Sequence, residues 1–333
     1  MIKHHDTLAV WDIAVRCSAG SGTDPVFAVL TEGSVLQPQI EDFNIRKEVG
    51  PKGTRTLDRS AGLALAAMGQ LGRLATIPAG RDDVGIVLAT SFGSIASTIQ
   101  FTQESLSGDR PYLVDPSRFP NTVMNFAASQ GAIRHGLRGP NATLIAGAGS
   151  ALHGLDYCWR LIELGQADAL ILGGVEEWTP ERVQLEHDAG SRGDFVEGAA
   201  ALLVGPSALW QETPLARVSM VLTGVVHDSD SATQLVRRWR TNLPTEAPEM
   251  LIRVGHSVAI DRLLDALAIP ENGLDTPTRT LALDSLGDLG AWGSALALTL
   301  AAEVARSGTR ARIVSADERG PVSITDLNPC SQP

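Results

Sequence analysis

Two hydrophobic periods take turns along most of the chain. LAVWDIAV (8–15) and PVFAVL (25–30) are nearly continuous apolar runs of strand length and predict early strands. SAGLALAAMGQLGRL (60–74) repeats its apolar residues at helical spacing. VGIVLAT (84–90) predicts a buried strand and SIASTIQFTQESL (94–106) the helix after it. NTVMNFAASQGAIRHG (121–136) predicts a second helix, stopped by Gly136 and then by Gly139-Pro140. Next come a strand, ATLIAG (142–147), a tight turn at Gly147-Ala148-Gly149, and the helix SALHGLDYCWRLIELG (150–165). ADALILGG (167–174) follows as a strand apolar enough to be covered on both faces.

The second half repeats the theme. Strands are predicted at 218–226, 250–254 and 278–285, and helices at 233–240, 260–267 and 293–308. RARIVSAD (310–317) and PVSITDL (321–327) close the chain as two strands. Alternation of buried strands with helices specifies an α/β architecture with a mostly parallel sheet. A glycine turn follows a strand in both halves, at Gly147-Ala148-Gly149 and at Gly287-Asp288-Leu289-Gly290, which points to a duplicated fold. The boundary is expected near 206–216, where turn-forming residues gather. The polar stretch 176–195 reads as a surface loop or short helix.

With 333 residues, 44% of them hydrophobic and 20% charged, the chain can bury one large core or two merged ones. A net charge of −11 without a basic stripe argues against a nucleic-acid partner. Cys17, Cys158 and Cys330 are odd in number and far apart, so they form neither a disulfide framework nor a metal-spaced pair. The first residues lack an apolar stretch of signal-peptide length and no membrane-spanning run follows, so a cytoplasmic location is expected. His4 and His5 are adjacent, cannot both face one site on a regular element, and read as solvated terminal residues.

Three stretches carry a more specific likeness: FPNTVMNFAASQGAIRHGLRGPN (119–141), LIELGQADALILGGVEE (161–177) and DFVEGAAALLVG (194–205). As a set they resemble a β-ketoacyl synthase of the thiolase superfamily, from residue 84 to about 205, without a gap from Phe92 to Glu176. The resemblance implies a thiolase-like α/β fold, with two similar βαβ-rich halves in a layered α/β/α/β/α arrangement. The halves would be residues 1–207, with the dimer interface and the nucleophile elbow, and 208–333.

Laid on this chain, the family's nucleophilic cysteine falls on Ala148, whose methyl has no lone pair to offer an acyl group. Ser150 lies nearby, but a helix at that offset turns its hydroxyl away, and a helix-start hydrogen bond is the simpler role. Cys158 reads as a packed apolar residue. The family's H-G-T histidine motif is absent from MLIRVGHSVAI (250–260), where His256 stands two or three places late. In DSLGDLGAWGSA (284–295), Asp284 falls on the family's lysine and Asp288 on or beside its second histidine. Two carboxylates there would repel a developing oxyanion. ADERGPVS (316–323) replaces the family's C-terminal G-F-G-G loop. Asp284, Asp288 and His153 share no ligand-like spacing, so no metal is expected. No catalytic residue and no cofactor of the chain's own are expected either.

The resemblance then narrows to the chain length factor, or ketosynthase β-subunit, of bacterial type II polyketide synthases, in particular the smaller subunits of reduced or polyene pathways. It implies a heterodimer with a catalytic ketosynthase, which would act on phosphopantetheine-bound acyl groups of an acyl carrier protein. Interface residues would come from 121–133 and 142–147: Asn125, Ala127, Leu144, Ile145 and Ala146. Gly93, Ala96 and Gln100 match positions that line the far end of the partner's tunnel. Gly93 either leaves that space open or only permits a strand-to-helix turn. The acidic chain should dock the acidic carrier protein poorly, so the carrier would bind mainly to the partner. Arg237, Arg238 and Arg240 read as a solvated helix face. The competing expectation is a homodimeric thiolase-fold acyltransferase or hydrolase using Ser150 with His153 or His256. A third, a decarboxylase, is disfavoured because the family uses glutamine at the elbow for that purpose, and Ala148 stands there.

Overall fold

Strands apolar at nearly every position can persist only where both faces are covered. β3 (Val84–Ala89), β5 (Ala169–Glu176) and β10 (Ala311–Ala316) are buried along their whole length. The computed structural model describes residues 8–188, 194–239, 248–255, 257–267, 279–317 and 320–330. His4, His5, Arg240 and His256 lie outside the described residues.

The remaining strands are β1 (Leu8–Cys17), the short β2 (Gly20–Ser21), β4 (Asn141–Leu144), β6 (Gly198–Pro206), β7 (Ala216–Val225), β8 (Met250–Val254), β9 (Arg279–Ala282) and β11 (Pro321–Asn328). Their order is β4-β3-β5-β6-β1-β7-β11-β10-β8-β9, with β2 paired to β1. Read outward from the β1–β7 seam, the two sides repeat one order. In each, two parallel pairings (β3 with β4 and β5; β8 with β9 and β10) give way to antiparallel ones. The sheet is therefore mixed rather than mostly parallel. The hydropathy of a strand reports that it is covered, and says nothing of the direction of its neighbours.

Helices fill three layers. α3 (Arg59–Gly69) and α5 (Phe126–His135) pack together on the outer face of the first strand set, around Trp11, Leu63, Met68 and Ile86. α8 (Ser229–Trp239) and α9 (Val258–Leu267) do the same on the second, around Val236, Leu263 and Ile324. Between the sets lie α6 (Ser150–Glu163) and α10 (Trp292–Arg306), each in contact with strands of both. The order α/β/α/β/α is the thiolase-like arrangement.

Two segments depart from their sequence reading. PVFAVL (25–30) is not a strand but part of α1 (Asp24–Glu32), with proline in its first turn and Gly33 closing it in the left-handed region at φ 66°. An apolar run of six residues fits either period, and these end signals decide it. The predicted helix 121–136 begins only at Phe126. Pro116–Thr122 winds as a 3₁₀ turn and Val123 is extended, while the Asn121 side chain donates to the Thr56 carbonyl at 2.8 Å. The polar stretch after β5 holds a real helix, α7 (Pro180–Asp188).

α10 comes close to β5 and β6 because side chains are missing beneath it. A Cβ at Gly174 would lie 2.9 Å from both Trp292 Cα and Ala295 Cβ, and one at Gly198 would lie 2.7 Å from the Trp292 ring. Trp292 is fully buried and donates its indole N–H to the Val196 carbonyl at 2.9 Å. Gly174→Ala is therefore expected to lower stability by about 1–3 kcal/mol through overpacking. Urea unfolding checks it: a midpoint equal to or above the parent's would mean that α10 can simply retreat.

Candidate functional site

The elbow stands where β4 ends and α6 begins. Gly147 holds φ 64°, a left-handed conformation that an L side chain seldom adopts. Ser150 is fully buried; its hydroxyl donates to the Gly147 carbonyl at 2.6 Å and accepts from the Ala146 N–H at 2.8 Å. The Ala151 N–H is taken by Ser294 Oγ of α10 at 2.9 Å. The Ala148 N–H points at Asp317, just past β10, whose carboxylate accepts it at 3.4 Å. The helix end that could attract an anion is thus supplied with acceptors from the chain itself. Ala148 puts a methyl at the tip, half-buried against Gly255, where an added Cβ would meet it at 3.2 Å.

Behind the elbow, Ser323 Oγ and His153 Nε2 lie 3.3 Å apart, and burial lowers the His153 pKa, favouring neutral imidazole. Ser150 and His153 therefore have separate partners and form no nucleophile–base pair. Ser315 is also buried there, its hydroxyl without a partner among the described residues and 3.2 Å from where a Cβ of Gly149 would sit. Cys158 is fully buried, which pushes its thiol pKa well up and keeps it inert.

A second cluster fixes the turn that leads into α4 (Ile95–Ser107). Glu176 is fully buried at the end of β5 and accepts from the Ser91 N–H (2.6 Å), the Ala291 N–H (3.1 Å) and Arg182 Nη1 (2.8 Å). The Arg182 guanidinium is itself buried between the Phe92 and Phe195 rings, 4.3 and 4.2 Å from their centroids, and Nη2 reaches Glu186 at 2.6 Å. Glu177 accepts from the N–H groups of Ser60 and Ala96, both at 3.2 Å, and so joins the N-termini of α3 and α4. Asp58 caps α3 through the Ala61 N–H and accepts from the Ser97 hydroxyl of α4. Burial raises both carboxyls, and with Asp58 nearby the Glu177 carboxyl is pushed up to about 7.

The three tunnel candidates sit on this braced element. Gly93 is buried, with φ 60°, and an added Cβ would lie 3.3 Å from Met124 Sδ. The turn uses the left-handed conformation, and Met124 stands beside the place a side chain would take. Ala96 is half-buried through its bond to Glu177, and Gln100 is exposed one turn on. α4 buries none of its side chains. Leu106 on α4 and, in the segments that follow it, Tyr112, Leu113, Phe119, Met124 and Ile145 are exposed apolar groups.

β4 is the last strand of the sheet on its side, bonded to β3 alone among the described strands. Asn125 is exposed, Ile145 is 57% exposed, and Leu144 and Ala146 are half-buried at this edge. Ala127 is corrected: it is 6% exposed and packs in its own chain's core between α5 and the sheet. Asp288 binds locally, its carboxylate accepting the Gly290 N–H at 3.0 Å and its backbone bridging to Asp194 and Val196. Asp284 accepts the Gly287 N–H with its carbonyl in a 3₁₀ turn, Leu283–Leu286, where the sequence predicted strand. Among the described residues no group of His, Cys, Asp and Glu is disposed to hold a metal ion, and no helix is long and apolar enough to cross a membrane. Sequence reasoning missed Glu177, Arg182, Met124 and Asp317. Glu176-Glu177 at the end of an apolar strand was the one available signal, since acidic residues there must find buried donors.

Residues 29–191 match the family model of the β-ketoacyl synthase N-terminal domain. The chain is 25% identical over 177 residues to 3-oxoacyl-[acyl-carrier-protein] synthase 2 of Staphylococcus aureus, a match covering 52% of this chain and 43% of that protein. It is 30% identical over 138 residues to the enzyme of the same name from Rhizobium meliloti, covering 40% and 32%. The matched part thus spans less than half the length of these relatives. Among solved structures, the ishigamide ketosynthase/chain length factor is 26% identical with TM-score 0.82, covering 98% of this chain and 100% of that one. A β-ketoacyl synthase from Burkholderia phymatum, at 14% identity and TM-score 0.79 over 98% and 100%, shares the fold.

The Glu177 bridge has a pH signature. Its carboxyl rises from 4.5 to about 7 on folding, so its stabilising contribution is full below about pH 4.5 and is lost as pH rises through about 7. The loss amounts to about 3 kcal/mol at most. In urea unfolding at pH 5 and pH 8, Glu177→Gln is expected to lose much less stability between the two than the parent does. Equal losses would remove Glu177 as the source.

Proposed function

We propose that this chain, which belongs to the β-ketoacyl synthase family, is the non-catalytic chain length factor subunit of a type II polyketide synthase. In this reading it pairs with a catalytic ketosynthase and shapes the end of that partner's acyl tunnel. The observation that carries it is the elbow itself: a methyl stands at the nucleophile position, and the neighbouring hydroxyl is buried in two backbone bonds. Acyl transfer needs a lone pair that can reach the carbonyl: the methyl has none, and the Ser150 oxygen is fully buried and held by the Gly147 and Ala146 backbone.

A surface made to be covered supports the pairing. The chain presents an edge strand with open backbone groups, a helix with no fully buried residue, and several exposed aromatic and aliphatic residues. Extension of the sheet across β4 into the partner would bring Ile145 and Ala146 into contact with it, and would set α4 with Ala96 and Gln100 against the partner's acyl site. A solved structure of similar fold is described as a type II polyketide synthase acyl carrier protein in complex with its ketosynthase bound to the hexaketide. By the same division of labour, the acyl carrier protein here would deliver its phosphopantetheine-bound chain to the partner, with this acidic subunit taking little part in docking.

Native mass spectrometry of the chain co-expressed with its ketosynthase is expected to give a one-to-one pair, or a dimer of such pairs. A homodimer that ignores the ketosynthase would overturn the reading. Ile145→Glu should weaken the pair by about 2 kcal/mol, roughly thirtyfold in Kd, since it puts a charge at the centre of the edge. Gln100→Trp, on an exposed helical position that tolerates bulk, should shorten the products of the reconstituted pair with little change in thermal midpoint. Unchanged product length would remove α4 from the tunnel.

A further inference from the structure

Asp317 belongs to neither the elbow nor the sequence stretch that resembles a synthase, yet it closes the elbow. It follows the last residue of β10, in the second half of the fold, and is 169 positions from the residue it binds. Its carboxylate accepts the N–H of Ala148, the residue at the nucleophile position. A Cβ on Gly147 would run into the same carboxylate, so the glycine is needed both for its φ of 64° and for the space Asp317 takes. The segment holding Asp317 is anchored on both sides: its N–H donates to the Pro321 carbonyl at 2.9 Å and its own carbonyl accepts from Gly320 at 3.0 Å. The preceding Ala316 carbonyl lies 2.6 Å from where a Cβ of Gly255 would be, so this turn passes close to Gly255, which also lies beside Ala148.

We propose that Asp317 is an internal anion that plugs the elbow, occupying with a fixed negative charge the N–H that would otherwise stabilise a thiolate or a tetrahedral oxyanion at position 148. The physics is elementary. The start of a helix carries a partial positive charge, which favours an anion. A carboxylate already seated there satisfies the donor and repels any second negative charge that develops a few ångströms away. The loss of acyl chemistry is then double: the nucleophile is gone, and the electrostatic environment it would need has been reversed. Restoring cysteine alone should leave the site inactive.

The test uses the purified full chain by itself, with Ala148→Cys and the pair Ala148→Cys/Asp317→Asn. The introduced thiol is titrated by its thiolate ultraviolet absorbance against the parent, and its alkylation by iodoacetamide is followed by peptide mass spectrometry. Buried Cys17 and Cys158 report whether the fold has opened. In Ala148→Cys the thiol is expected to titrate above the free-cysteine value of about 8.5, whereas an unplugged helix start would bring it below. Adding Asp317→Asn should lower it by about one unit and speed alkylation at pH 7 about tenfold, with Asp317→Glu keeping it slow. A thiol that titrates below the free value in Ala148→Cys overturns the proposal even if the double variant does not fold, and so does equal reactivity with Asp and Asn at 317. Pairing with a ketosynthase is not an input to this measurement, so its failure would leave the subunit reading standing, and the reverse holds.

Discussion

The close contact of α10 with β5 and β6 sets the position of almost everything that bears on function. Absent side chains at Gly174 and Gly198 let the helix settle onto the sheet, and Trp292 fixes its depth and rotation. From that seat Ser294 reaches across to the Ala151 N–H, so the start of α6 is held by α10 and not by the elbow alone. The Ala291 N–H, at the head of α10, reaches Glu176, which also holds the Ser91 turn ahead of α4. One close packing contact thus ties the elbow and the α4 turn to a common core.

Buried carboxylates perform most of the joining. Glu176 and Glu177 follow one another at the end of β5 and serve different elements, the first the Arg182 sandwich and α10, the second the starts of α3 and α4. Glu197, fully buried in the loop before β6, accepts from Arg59, Ile40 N–H and Trp178 N–H. Removing one partner from such a set leaves a charge or donor stranded in the interior, which is costly, whereas the intact set fixes geometry more than it adds net stability. Asp317 follows the same pattern at the elbow, with the difference that the donor it satisfies is the one a reaction would have used.

The sequence made the buried strands and central helices legible, because a run such as ALILGG or SALALTLAA has one physical explanation in an α/β fold. It also located the elbow, since a glycine-alanine-glycine turn between strand and helix is a local pattern, whereas only the family resemblance set Ala148 against a cysteine. PVFAVL was misread because six apolar residues carry no period, and the answer lay in the flanking Pro25 and Gly33. The start of α5 was misread because Asn121 is fixed by a residue 65 positions away. Mixed strand direction and the partner of Ala148 are properties of long-range pairing, which no local pattern contains. Gly93 shows a subtler limit: its dihedral angle and the neighbouring Met124 are set by the folded turn, and no local pattern displays them.

The seam between the two strand sets has a consequence for how the chain comes to be folded. β1 precedes its long-range ladder partners, which are β6, in a register running from Arg16–Ala199 to Leu8–Pro206, and β7, through Leu8–Val218 to Val10–Ala216. More than two hundred residues separate that strand from the last of the partners that pair it on both sides. Closing so long a loop is entropically slow, and contacts of this separation are associated with slow folding. An apolar strand therefore lacks its native neighbours until the middle of the protein has emerged, which makes synthesis the stage at which its exposed edges invite wrong pairing.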